Sequence, residues 1–427
     1  MRLFMAIINM PEMKMYWSED AVFGGSFLKK IMARNRFDKI TQYLHANDRT
    51  KMPGKEDENY DKLYLVRPIL EIVRGNCLKN YNPHMECAVD EAMVAFRGRL
   101  DFRQYLLSKP TKYGIKIWMR ADSHNGYCND FSVYLGKPKD GTRQVGLGRK
   151  VVEDLTEPLY GTNSHIYCDN YFCSPALCKS LLEKGLYCCG TVRSNVKGLP
   201  FDLDSKKKVN NLIKDGGDSK QFQNDGILVS AWREKKGRKP VLVVSTNTDS
   251  SEGPTTINRR QKDGTMKEVP CVWPIVKYNN FMNAVDHSDQ LRTLYPTARS
   301  TKRWWLYIMW FLYDISLANA FICFKESENH KKINSRGIAV APSVLSFKKA
   351  IAKYLLEGQN YRKRKASKGG LSDHGHLPKK VKTARRCKNC IAEKKRAESR
   401  IVCDGCSNDD SVHLCIDCFR PFHEKNN

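Results

Sequence analysis

The chain has 427 residues, with 73 Lys and Arg against 46 Asp and Glu and a net charge of +27. Its length accommodates two or three domains with a sizeable core, and an apolar share of 41% excludes a disordered chain. The basic surplus favours a polyanionic partner, because bound Lys and Arg release counterions from a phosphate backbone; no apolar run reaches the roughly 20 residues of a bilayer span, so no membrane partner is expected.

The opening stretch MRLFMAIINMPEMKMYW lacks a small-residue cleavage site and does not read as a secretory signal. Residues 3–8 instead read as the middle of a helix without a cap, which predicts an N-terminal truncation. Residues 1–85 read as mostly helical, with apolar side chains at helical spacing in 27–32, 37–44 and from 61 onward around Pro68, and a polar loop at 47–60.

From Glu86 the texture turns to β. Cys87, Ala88 and Val89 end in Asp90, residues 113–120 alternate with period two, and Asn125-Gly126 marks a hairpin turn into 126–134. A helix at 151–155 precedes the run Ile166, Tyr167, Cys168 and then Asp169. Ser174 and Pro175 have the form of an N-cap and first-turn proline for a helix at 176–183, followed by a strand at 187–193. Strand, hairpin, helix, strand, helix, strand is an α/β order that puts Asp90 and Asp169 in one sheet. Residues 195–272 read as an inserted β-rich subdomain. Asp286 and Asp289 share one face of a following helix by their i,i+3 spacing. Trp304 and Trp305 open a long apolar helix to about residue 324 and read as core anchors, with base-stacking platforms as the alternative.

Acids delivered from two strands and a helix can converge. Clustered carboxylates repel unless a cation neutralises them, and hard oxygen ligands suit Mg²⁺ or Mn²⁺. Asp90, Asp169, Asp286 and Asp289 are therefore candidate catalytic residues, the first three as metal ligands, for phosphodiester chemistry with two metals. Lys109, Lys112, Lys116, Arg193 and Lys197 are candidate phosphate contacts beside them. Arg362, Lys363, Arg364 and Lys365 form a basic run that reads as a nuclear signal or nucleic-acid patch.

The tail carries Cys387, Cys390, Cys403, Cys406, His413, Cys415, Cys418 and His423. Cys-x-x-Cys pairs with two His in a segment poor in aliphatic residues fit two tetrahedral Zn²⁺ sites, since without metal such a segment holds no core. Sixteen Cys in a chain without a secretory signal point to a reducing compartment rather than disulfides. A cross-braced order gives Cys387, Cys390, His413 and Cys415 to one ion and Cys403, Cys406, Cys418 and His423 to the other.

The segments YWSEDAVFGGSFLKKIMARNRFDKI, DKLYLVRPIL, VDEAMVAFRGRLDFRQYLLSKPTKYGIKIWMRADS, YCDNYFCSPAL, GTVRSNVKGLP, YNNFMNAVDHSDQ and RWW together resemble the piggyBac family of DNA transposases and their domesticated descendants. The resemblance implies an α/β RNase H-like catalytic domain with a β-rich insertion, flanked by helical DNA-binding segments and closed by a small C-terminal cross-brace zinc module. Its segments are a helical dimerisation and DNA-binding region (1–85), a first catalytic stretch (86–194), the insertion (195–273), a second catalytic stretch (274–294), a helical DNA-binding region (295–356), a basic linker (357–386) and the zinc-binding domain (387–427). It implies Asp90, Asp169 and Asp286 as a catalytic triad with Asp289 as a fourth acid, and cut-and-paste transposition of double-stranded DNA at TTAA targets through a hairpin end, by a nuclear homodimer. A domesticated DNA-binding or chromatin protein without transposition is the alternative. Val196, where relatives often carry a base, and the MNAVD block, where glycines commonly precede the acid, depart from the family pattern.

Overall fold

The computed structural model describes residues 1–23, 27–107, 109, 111–137, 146–261, 263–327, 332–333, 339–340, 342–356, 378–403 and 412–425. The chain divides into two compact units, Met1–Gly358 and Gln359–Asn427.

The first unit contains α1 (Arg34–Tyr43), α2 (Arg67–Lys79), β1 (Glu86–Ala95), β2 (Tyr113–Asp122), β3 (Cys128–Val133), α3 (Leu147–Thr156), β4 (His165–Cys168), α4 (Pro175–Glu183) and β5 (Tyr187–Val192). It continues with β6 (Ser219–Asn224), β7 (Ile227–Trp232), β8 (Val241–Ser245), β9 (Pro254–Arg260), β10 (Met266–Val272), α5 (Trp273–Phe281), α6 (Ala284–Thr293), α7 (Trp304–Glu326) and α8 (Val344–Tyr354). The sequence signals for α4 are realised: Ser174 caps the helix by accepting from Leu177 N, with Pro175 in the first turn.

Among the described residues the main sheet has nine strands, ordered from a short edge strand (Gln104–Tyr105) through β2, β1, β4, β5, β8 and β7 to β6, with β3 also paired to β2. β1, β4 and β5 run parallel, and the outer pairings are antiparallel. Both faces are covered, as a mixed sheet with parallel centre requires. Ala88 and Ala92 of β1 pack with α2, α6 and α7, while Cys87 and Val89 pack on the opposite face with α3 and α4. The period-two alternation of β1 thus decides which residues meet which helices.

Within residues 195–273, β6, β7 and β8 extend the main sheet by pairing onto the edge of β5, while β9 and β10 make a two-stranded ribbon of their own. Two readings from sequence are corrected. Asp90 lies in mid-strand rather than at a strand end, because β1 continues to Ala95 against β2. The expectation of no apolar run near bilayer length also fails. Helix α7 has 23 residues and is apolar enough to span a membrane by length and composition, yet 67% of its most apolar window is buried within the protein. Trp305 is buried, and Trp304 meets Phe102 edge-on at 5.5 Å between centroids, as core anchors should.

In the second unit, β11 (Pro378–Arg386) pairs antiparallel with β12 (Glu398–Cys403), followed by α9 (Ile416–Lys425). The end of the expected basic linker is therefore a strand. Arg362, Lys363, Arg364, Lys365 and Cys406 lie outside the described residues.

Candidate active site

Parallel register brings the first two acids together. In the β1–β4 pairing Val89 stands opposite Cys168, so Asp90 and Asp169 are the next residues on neighbouring strands. There β4 stops while β1 continues, which opens space beside Asp90. Both acids follow the alternation that faces α6, and Asp286 lies in the first turn of that helix. Helix α6 is held close by the β2–β3 hairpin. Gly126 adopts φ +79°, and a Cβ there would lie 3.0 Å from Ser288 N and 3.2 Å from the His287 Cβ. Ser123 Oγ also donates to the Phe281 carbonyl at 2.7 Å, fixing the α5–α6 junction to the same turn.

Asp90, Asp169, Asp286 and Asp289 all line one cleft of about 1450 Å³. Their oxygens are not collapsed onto one point: among the described residues no three of them offer ligand atoms all within 4.8 Å of one another. Burial, then the neighbouring Glu91, pushes the Asp90 carboxyl up to about 6, against the opposing pull of Lys109. Burial also raises Asp169, with the Asp90 charge adding to it and the Tyr171 N–H opposing it. That N–H donates to Asp169 Oδ1 at 2.8 Å and fixes the side chain at the start of its turn. Asp289 is raised by burial and held back by Arg292, whose Nη2 and Nε lie 2.8 and 3.1 Å from Asp289 Oδ1. Carboxyls in a cleft with raised pKa values favour a compensating cation, and the hard oxygen set fits Mg²⁺ or Mn²⁺.

The basic candidates divide. Lys109 enters the acid cluster, with Nζ 3.4 Å from Asp90 Oδ2 and 3.7 Å from Glu91 Oε1. Lys112 lines the same cleft and is exposed. Arg193 is exposed and donates from Nε to Asn170 Oδ1 at 2.9 Å, one residue from Asp169; Lys197 is exposed on the segment that follows. Lys116 is corrected as a surface phosphate contact. It is buried on the opposite face of β2, 3.8 Å from Glu91 Oε2 and 3.8 Å above the Trp118 ring, and burial lowers its pKa. Sequence reasoning passed over Glu91, which links Lys109 and Lys116. Its only signal was adjacency to Asp90, with which it shares the cleft, the Lys109 ammonium and a side-chain hydrogen bond.

In the tail, the sulfurs of Cys387, Cys390, Cys415 and Cys418 lie within 4.8 Å of one another and could hold a metal such as zinc. This corrects the expected pairing, which gave His413 a place that Cys418 takes. His413 bridges to Val402, and its Nδ1 faces the Ser399 carbonyl at 2.8 Å, so its ring is turned to the β12 strand. Cys403 is buried at the end of β12, and His423 lies in α9 with Nδ1 2.5 Å from the Phe419 carbonyl. Neither belongs to the four-sulfur group.

The chain matches the family model described as transposase IS4 over residues 1–321. It is 24% identical to human piggyBac transposable element-derived protein 3, over 97% of this chain and 67% of that protein. It is 25% identical to human piggyBac transposable element-derived protein 2, over 75% of this chain and 54% of that protein, so it spans only about half of this second relative. Its fold is similar to that of a piggyBac transposase solved by cryo-EM in a synaptic complex with hairpin DNA, with a TM-score of 0.66 at 23% identity, over 98% of this chain and 86% of that one. With three quarters of its length matched by the family model, the chain belongs to the transposase IS4 family and, within it, to the piggyBac group.

Proposed function

We propose that the chain is a piggyBac-like DNA transposase whose α/β core is an RNase H-like catalytic domain, with Asp90, Asp169 and Asp286 as catalytic ligands for two Mg²⁺ or Mn²⁺ ions. The observation that carries the reading is the parallel register that sets Asp90 beside Asp169, with Asp286 delivered to the same cleft by α6. Bound ions of this type supply charge neutralisation for the attacking and leaving oxygens of an in-line phosphodiester displacement. Asp90 and Asp169 follow the paired residues Val89 and Cys168 of neighbouring parallel strands, so they would hold such ions from the same side of one sheet. Asp286 closes the cluster from the helix side, and Asp289 acts through Arg292 to orient it. Lys109, Lys112, Arg193 and Lys197 contact DNA phosphates around the cleft, and the basic run at 362–365 adds contacts or a nuclear signal.

The substrate in this reading is double-stranded DNA at a transposon end, with TTAA as target. Cleavage of one strand gives a 3′-hydroxyl that attacks the opposite strand, forming a hairpin end that is later resolved and joined. The kinship with piggyBac-derived proteins, the likeness to a transposase solved with hairpin DNA, the net charge of +27 and the location of the acids support this assignment. We assign residues 86–194 and 274–294 to the catalytic domain, 195–273 to its insertion, 1–85 and 295–356 to dimerisation and DNA binding, and 387–427 to a module holding two Zn²⁺ ions, in a nuclear homodimer.

The test is incubation of the purified protein with a transposon-end duplex in Mn²⁺. Nicks and hairpins that disappear with Asp169→Asn support the enzyme. Tight binding of the duplex without any cleavage replaces it with a domesticated DNA-binding protein.

A further inference from the structure

A second sulfur cluster lies inside the first unit, on the face of the sheet opposite the carboxylates. Cys168 ends β4, Cys173 lies in the turn after it, Cys178 is in α4 and Cys188 is in β5. The sulfurs of Cys168, Cys173 and Cys188 lie within 4.8 Å of one another. Cys178 Sγ adjoins this group, 3.9 Å from Cys173 Sγ and beside Cys188, but it is not within 4.8 Å of all three sulfurs, Cys168 being the one it does not contact. All four are buried, at 0–3% exposure, and none is in a disulfide.

A free cysteine in a core behaves as a small hydrophobe, and single buried thiols need no explanation. Three thiols from three segments meeting sulfur to sulfur, with a fourth against two of them, are different, because packing alone sets no preference for sulfur against sulfur. The spacing also has a chemical meaning. A Zn–S bond of about 2.3 Å makes the sulfur–sulfur edge of a tetrahedral site about 3.8 Å. The tail cluster shows that spacing, with Cys390 Sγ 3.8 Å from Cys415 Sγ, and the 3.9 Å edge between Cys173 and Cys178 matches it.

The backbone is shaped for the cluster. Gly190 of β5 faces Cys173, and a Cβ at Gly190 would lie 2.7 Å from Cys173 Sγ and 2.8 Å from its Cβ. The same Cβ would lie 2.5 Å from the Cys168 carbonyl oxygen, so glycine here serves the close strand backbone as well as the sulfur. Cys168 immediately precedes Asp169, and Cys173 N donates to the Asp169 carbonyl at 3.0 Å, so both ends of the turn that presents Asp169 carry a ligand sulfur.

We propose that Cys168, Cys173, Cys178 and Cys188 form a tetrathiolate site for a thiophilic d¹⁰ cation of the zinc type, which stakes the Asp169 turn to α4 and β5. Binding forms four metal–sulfur bonds and releases the thiol protons to solvent. The site is separate from the tail's cysteines, and its test does not depend on DNA cleavage.

The full chain, reduced, is loaded with Co²⁺ and read for bound metal and for thiolate-to-cobalt charge-transfer absorption. A chain carrying Cys387→Ser and Cys390→Ser, which disables the tail cluster, retains about one equivalent of tetrathiolate Co²⁺. Adding Cys178→Ala removes it. In parallel, ¹¹³Cd NMR of the chain with its tail intact loses one tetrathiolate resonance on Cys178→Ala while far-ultraviolet circular dichroism stays native. A tail-disabled chain of native dichroism that binds no tetrathiolate Co²⁺ overturns the site. So does an unchanged set of cadmium resonances in the Cys178→Ala chain.

Discussion

Lys109 Nζ lies 3.4 Å from Asp90 Oδ2 and 3.3 Å from the Glu91 carbonyl oxygen, so an ammonium group stands at the first acid of the cluster. Both partners are largely shielded, each side chain being 23% exposed. The same group is within electrostatic reach of Asp286. Lys109 is thus a built-in counter-cation for the carboxylates, in competition with any divalent ion they take.

Replacing it shifts that competition. At pH 8, where Asp90 is ionised, Lys109→Met removes a positive charge 3.4 Å from Asp90 Oδ2, one that would repel a divalent ion held by that carboxylate. Even after solvent screening, repulsion of this kind is worth on the order of 1 kcal/mol. The expected outcome is a Mn²⁺ requirement lowered about five- to tenfold, together with weaker DNA binding if Lys109 also meets phosphate. Calorimetric Mn²⁺ titration of the two proteins checks it, and equal affinities would remove Lys109 from the cluster's charge balance.

Asp90 makes the stability of the metal-free protein pH-dependent in a defined direction. Its ordinary value is 3.8 and its folded value is about 6, so the folded state favours the protonated acid. Its ionisation therefore opposes folding above pH 6, and the cost is relieved as pH falls from about 6 towards 4. Asp90→Asn removes the cost, so without Mg²⁺ or Mn²⁺ the variant should be more stable than the parent at pH 7.5, by on the order of 2 kcal/mol. The difference should vanish near pH 4. Urea unfolding at the two pH values reads it, and a gap that stays constant with pH contradicts the raised carboxyl.

Much of this site was legible in the residue pattern alone. Apolar triplets before Asp90 and Asp169 signalled strands of one sheet, and the i,i+3 spacing of Asp286 and Asp289 signalled one helix face. Strand register was not legible, because the pairing of Val89 with Cys168 depends on a crossover through α3 that local pattern does not encode. The same limit applied to β6–β8, whose alternation reads alike in an added ribbon or an extended sheet. Lys116 was misjudged because charge suggests surface, whereas its stem and ammonium are absorbed by Trp118, Tyr171 and Glu91. In the tail, ligand types were readable from spacing, but their partition between ions was not.

Asp289 and Arg292 form a partly buried pair whose two members can be separated by mutation. Arg292 stacks its guanidinium 4.8 Å from the Phe311 ring centroid and is only 9% exposed. Arg292→Ala strands a carboxyl that burial already raises, and a loss of about 2–4 kcal/mol in unfolding free energy is expected. Asp289→Asn keeps one hydrogen bond and should cost less. If Asp289 served as an ion ligand in its own right, Asp289→Asn would raise the Mn²⁺ requirement while Arg292→Ala would not; an anchoring role predicts that both raise it together.

The tail offers the sharpest dependence on an ion. Its small core cluster has Cys387, Cys390, Val412, Leu414 and Cys418 as its buried members, three of the five being thiols. A cluster with two aliphatic side chains cannot offset the ordering entropy of the 378–425 segment, and the sulfurs must be bridged to hold β12 and α9 in place. Chelation should therefore unfold this segment while the first unit, with its two large apolar clusters, stays folded. Hydrogen exchange followed by mass spectrometry should show loss of protection at 387–390 and 412–425 on adding a zinc chelator, recovered by Zn²⁺. Cys390→Ser should reproduce the unprotected state without chelator, since Cys390 Sγ lies 3.8 and 3.4 Å from the sulfurs of Cys415 and Cys418. Protection that survives both treatments would mean that the tail folds on packing alone, against the composition of its core.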